Sequence, residues 1–120
     1  MNLQSPIDTA VFVALAGNDA ARMSKLAALF ERTARESVEQ IERALAADDL
    51  PAARRIAHKL KSSAAYVGAE PLRSQAEQLE RRTDHPSSPE RRDIALAIRA
   101  RFDAATVALA ALADSGRALT

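Results

Sequence analysis

The chain contains no cysteine and no tryptophan, only three glycines, and very few aromatic side chains. Without cysteine there can be no disulfide, no thiolate nucleophile and no thiolate-ligated zinc. With glycine confined to Gly17, Gly68 and Gly116, there is no glycine-rich loop to cradle a nucleotide phosphate. Alternating β-branched segments are missing as well, which excludes a sheet. The longest apolar run, Ala10 to Ala16, is far short of the roughly 20 residues that span a bilayer. It also lacks the basic lead-in of a signal peptide. Seventeen basic and 16 acidic residues leave a formal charge of +1, so no global field draws the protein to nucleic acid or a membrane surface.

What the 120 residues do contain is alanine, leucine, arginine and glutamate in helical periodicity, in a chain long enough for one domain with its own core. Ser5-Pro6 reads as a cap and first helical residue of a short helix that Gly17 ends. Asn18 is positioned to cap a second helix, whose stripe is Met23, Leu26, Phe30, Thr33, Ser37, Ile41 and Leu45. Asp48-Asp49 interrupts it, and Pro51 opens a third helix that runs to Val67 and stops at Gly68. A fourth begins around Pro71, carries Leu72, Ala76 and Leu79, and fades near Thr83. After the loop DHPSSP, Ser88-Pro89-Glu90 starts a long last helix with Ile94, Ile98, Phe102, Ala105, Leu109 and Leu112 on one stripe. The predicted architecture is all-α: an antiparallel up-down four-helix bundle with an additional short N-terminal helix, residues 1–120 forming a single domain.

Attention falls on the third helix and its stretch AHKLKSSAAYVGA, residues 57–69. At about 100° per residue, Ala53, Ile56, Ala64 and Val67 lie within about 40° of Leu60, whereas His58 points about 160° away. His58 is therefore expected on an outward face, with Arg54, Lys61, Ser62 and Ala65 beside it and Arg55 a little further round. Ser62 and Ala65 are small enough to leave the imidazole approachable by another protein. His58 lies eleven residues before Ala69 and Glu80 eleven after it, so a tight turn at Gly68 brings the two level. A carboxylate there accepts the Nδ1 proton and leaves Nε2 as the exposed nucleophile. The competing reading of Glu80 is a surface salt bridge to Arg73. The competing reading of Lys61 is an ordinary exposed lysine, whereas Arg54, Arg55 and Lys59 read first as generic solvated charges. His85, in the DHPSSP loop, lacks companions at metal-ligand spacing, and no metal site is expected on this chain.

The same stretch resembles the motif of histidine-containing phosphotransfer domains, matched by Ala57, His58, Leu60, Lys61, Ser63, Ala64, Val67, Gly68 and Ala69. Ser62 departs from it, since glycine is commoner there. The resemblance extends from about Ile7 to Leu112 and is similar to the domains at the C-terminus of bacterial hybrid sensor kinases. It implies a four-helix bundle with His58 as phosphoacceptor, Lys61 stabilising phosphoryl oxygens, and Glu80 bonding the ring. It further implies that phosphate is exchanged with receiver-domain aspartates, that Mg²⁺ comes from the receiver rather than from an intrinsic cofactor, and that Arg54, Arg55, Lys59, Ser62 and Ala65 face the partner. A monomeric phosphorelay carrier with no ATP site is the expectation, cytoplasmic or part of a membrane-anchored hybrid kinase. The alternative is a non-phosphorylated helical module that regulates a receiver by binding. A kinase dimerisation domain fits less well, because Lys59 follows the histidine where those domains carry glutamate, and the Glu-x-x-His pairs of diiron bundles are absent.

Overall fold

The computed structural model describes residues 5–118, and these form five helices: α1 (Thr9–Leu15), α2 (Ala20–Ala46), α3 (Leu50–Val67), α4 (Glu70–Arg81) and α5 (Ser88–Ala118). There is no strand among the described residues. The four longer helices close a ring in which α2 packs on α3, α3 on α4, α4 on α5 and α5 back on α2. This is the helical bundle with a short extra N-terminal helix that the periodicity predicts. No helix among the described residues is long and apolar enough to cross a membrane.

Aspartate caps three helices, and for α1 and α2 the capping residue differs from the sequence expectation. Asp8, not Ser5, caps α1: its Oδ1 accepts from the Ala10 and Val11 amides at 3.1 and 3.4 Å. Ser5 instead donates to the Ile7 carbonyl at 2.8 Å, and Ile7 is buried, so these residues serve as a packed lead-in rather than a helical turn. Asp19, not Asn18, caps α2 through the Ala21 and Arg22 amides at 2.9 and 3.2 Å. Asn18 follows Gly17 into the left-handed region, with φ of 58° and 61° respectively, so its backbone makes the turn and Asp19 supplies the cap. Asp49 caps α3 from the Ala52 amide at 3.2 Å. At α5, the Ser87 amide donates to Glu90 at 3.1 Å while the Ser87 hydroxyl accepts from the Glu90 amide at 3.3 Å, a reciprocal capping box.

The core is built from the predicted stripes of α3, α4 and α5, with Leu60, Leu72, Ile98, Phe102 and Leu109 fully enclosed. On α2 the stripe shifts. Ala34 and Val38 are completely buried, whereas Thr33 is exposed and donates to the Leu29 carbonyl at 2.9 Å. Because α2 is flanked by both α3 and α5, its buried arc is broad and includes alanines that a hydrophobic-stripe count passes over. On α5 the helix continues past Leu112, which is half-buried, to the buried Ala113.

Candidate functional site

Alanine and leucine on α3 turn the motif's polar residues outward. Ala57, Leu60 and Ala64 have no solvent exposure, so His58 has only the outer face left to it, and its side chain is 65 % exposed. At the end of this helix, Gly68 adopts φ 79°, and the amides of Gly68 and Ala69 bond back to the carbonyls of Ala65 and Ala64 at 3.2 and 2.8 Å. This pair of bonds is the Schellman arrangement, and it reverses the chain with just two residues between helices. The α1 lead-in locks the turn, since the Asp8 amide donates to the Gly68 carbonyl at 2.8 Å. A Cβ at position 68 would sit 3.0 Å from both the Asp8 carbonyl oxygen and Val11 Cβ.

The reversal lays α4 against α3 with Glu80 level with His58. One carboxylate oxygen of Glu80 bonds Nδ1 of His58, and the other accepts from Nζ of Lys61 at 2.6 Å. Arg73, the alternative partner considered for Glu80, is occupied by Glu70 and Glu77, at 2.6 and 3.0 Å. A carboxylate held by two cationic or polar donors can only accept, so the ring proton belongs on Nδ1 and the lone pair on the outward Nε2. Lys61, then the His58 ring, hold the Glu80 carboxyl below its ordinary pKa by hydrogen bonding to its charged form. The site therefore joins an outward-facing nucleophilic nitrogen to a cation one turn along α3, both anchored on a single anion.

The flanking residues divide into two groups. Arg55, Lys59, Ser62 and Ala65 are exposed around His58. The Ser62 hydroxyl lies 3.3 Å from the His58 carbonyl, to which it donates, so it is folded back on the helix and does not shield the ring. Arg54 is half-buried, and its Nη1 donates to the carbonyl of Arg82 at 3.1 Å. His85 is exposed on the loop after α4, with Nε2 2.9 Å from Asp48. Among the described residues, no three His, Asp or Glu side chains are grouped to hold a metal ion.

Sequence reasoning missed the feature next to the histidine. Between α2 and α3 runs an open, mainly apolar groove of roughly 420 Å³, lined by Leu26, Leu29, Phe30, Lys59, Ser62 and Tyr66 among others. Leu29 and Tyr66 stand out of it, 46 % and 62 % exposed. Tyr66, the single tyrosine in the chain, falls off the apolar stripe of α3, which was the available signal; that Leu29 faces it depends on how α2 packs.

A family model described as the Hpt domain matches residues 25–115, from within the second turn of α2 through most of α5, and therefore includes the whole of the His58 site. No curated protein matches the chain. Hpt domains are carriers in phosphorelays, not autonomous kinases, and pass phosphoryl groups through a histidine to and from receiver domains. With that match over most of its length, and with an exposed histidine on the bundle surface, the chain belongs to the family of histidine-containing phosphotransfer domains.

Proposed function

We propose that His58 is the phosphoacceptor, taking a phosphoryl group from the aspartate of one receiver domain and delivering it to that of another. The observation that carries this reading is the ring's placement: it is largely exposed, with Nδ1 tied to Glu80 and Nε2 outward. The Nε2 lone pair attacks phosphorus in line, a P–N bond forms, and the P–O bond to the receiver's aspartate breaks, returning that side chain to a carboxylate. Throughout, the proton stays on Nδ1, which donates to the Glu80 carboxylate, and that carboxylate stabilises the positive charge that the ring gains. Lys61 already lies in the same hydrogen-bonded set and offers its charge to the phosphoryl oxygens as they arrive. Such transfers depend on positioning and charge neutralisation more than on covalent help. Mg²⁺ in the receiver's own acidic pocket supplies the rest of the neutralisation, so this chain needs no cation of its own.

The α2–α3 groove, with Leu29 and Tyr66 at its mouth, is the surface on which the receiver seats, and Arg55 and Lys59 face its acidic rim. Lys59 and Ser62, neighbours of His58 on α3, line the groove, so a receiver seated there lies on the same side of the helix as the ring.

The test is transfer from a phosphorylated receiver to the wild-type domain and to His58→Gln. Acid-labile, base-stable phosphate on the wild type and none on the variant is the expected result. Equal labelling of both would refute the assignment. Receiver binding without any labelling would favour the non-phosphorylated regulatory module.

A further inference from the structure

We propose that Arg54 is a positioning residue for this site, holding the last turn of α4 so that Glu80 stays against the His58 ring; the inference rests on His58 being the phosphoacceptor. Glu80 stands one residue before the end of α4, which closes at Arg81. Terminal turns of helices have carbonyls without intrahelical partners and are where helices fray. The group that orients the imidazole is thus carried by the least self-supporting part of its own helix.

Arg54 counters this from α3. It lies one turn before His58, and its Nη1 donates at 3.1 Å to the carbonyl of Arg82, the residue at which the backbone leaves α4 with φ −66° and ψ 131°. The bond crosses between the same two helices, one turn along from the contact of His58 and Lys61 with Glu80. Arg82 is itself fixed. Its guanidinium bonds Asp84 at 3.0 and 2.7 Å and reaches Glu90, in the first turn of α5, at 3.3 Å. The carbonyl that Arg54 grips therefore belongs to a residue anchored to the start of the next helix. Only Arg81 separates the gripped residue from Glu80, too little chain to let the carboxylate drift while the clamp holds. Arg101, exposed on α5 and outside the receiver-facing set, serves as a control of equal charge.

The experiment uses the domain itself. Arg54→Met keeps the aliphatic stem and removes the donor, Arg54→Lys retains a donor, and Arg101→Met removes a charge without touching the clamp. Nitrogen-15 spectra of the His58 ring report the tautomer without any partner. A receiver domain charged with acetyl phosphate then reports the transfer rate at saturation and the half-saturating concentration. Arg54→Met is expected to convert a ring protonated at Nδ1 into a mixture of tautomers and to slow transfer roughly 10-fold, within the range of outer hydrogen-bond partners. Its half-saturating concentration should stay within about twofold of wild type, and Arg54→Lys should recover most of both effects. An Arg54→Met ring with the wild-type tautomer, or a transfer rate no lower than that of Arg101→Met, overturns the proposal. Absence of labelling on the wild type would instead sink the phosphoacceptor reading, and the spectra would still decide the clamp.

Discussion

Because Glu80 offers one oxygen to the His58 ring and the other to Lys61, removing its charge is felt by both. Glu80→Gln keeps an acceptor for the Nδ1 proton and gives up only the charge, whereas Glu80→Ala gives up both. Transfer to the alanine variant should accordingly be about 10-fold slower than to the glutamine variant, measured with the same charged receiver. The pH dependence follows from the lowered carboxyl pKa of Glu80. A depressed folded-state pKa stabilises the fold above the unfolded value, about 4.3, and the benefit disappears as pH falls through the lower folded value. Denaturant midpoints of wild type and Glu80→Gln should therefore keep a constant separation from neutral pH down to about pH 5 and converge only in the acid range. Convergence already at pH 6 would mean that the carboxylate is not held as described. At this scale the sequence was informative: equal spacing about Ala69 brought Glu80 level with His58. It could not say whether the carboxylate would choose His58 or Arg73, because that depends on which way α4 is rotated about its axis.

Among the elements, the α3–α4 hairpin carries the most consequence per residue. Gly68 combines a left-handed backbone with close approach of α1, so that a Cβ would fit only if Asp8 or Val11 gave way by a few tenths of an ångström. Gly68→Ala should cost about 1–3 kcal/mol in unfolding free energy from backbone strain and crowding together. A urea titration that shows less than about 0.5 kcal/mol would mean that the turn relaxes easily. If α1 separates to admit the methyl, the Asp8 amide loses its bond to the Gly68 carbonyl, and its hydrogen exchange should quicken. The positions of Gly68 and Pro51 were readable from the sequence, since glycine stops and proline starts follow from single-residue stereochemistry. The caps of α1 and α2 were not. In each, two residues no more than three apart can serve, and what chooses between them is burial of Ile7 in one case and the left-handed pair Gly17-Asn18 in the other.

For the whole molecule, the division between core and working face is unusually clean. Phe102 is fully enclosed, 6.2 Å from the Phe30 ring centroid and flanked by the guanidinium of Arg35 at 5.3 Å. Phe102→Ala should cost about 3–5 kcal/mol by leaving a cavity between α2 and α5. His58→Gln, on the exposed face, should leave the unfolding midpoint essentially unchanged while abolishing phosphate uptake. A large stability loss in the histidine variant would show that the ring is a structural group after all.

Periodicity, composition and single-residue stereochemistry were sufficient for the helical bundle, the tight turn and an outward His58, because each is a property of one segment of chain. The oxygen of Glu80 that meets the ring, the engagement of Arg54 with the Arg82 carbonyl, and the groove between Leu29 and Tyr66 all join residues from two helices. Their existence depends on helix rotation and offset, which are set by how Ala34, Val38, Leu60 and Leu79 interlock in the core. Side-chain packing fixes those quantities, and no local pattern in the sequence encodes them.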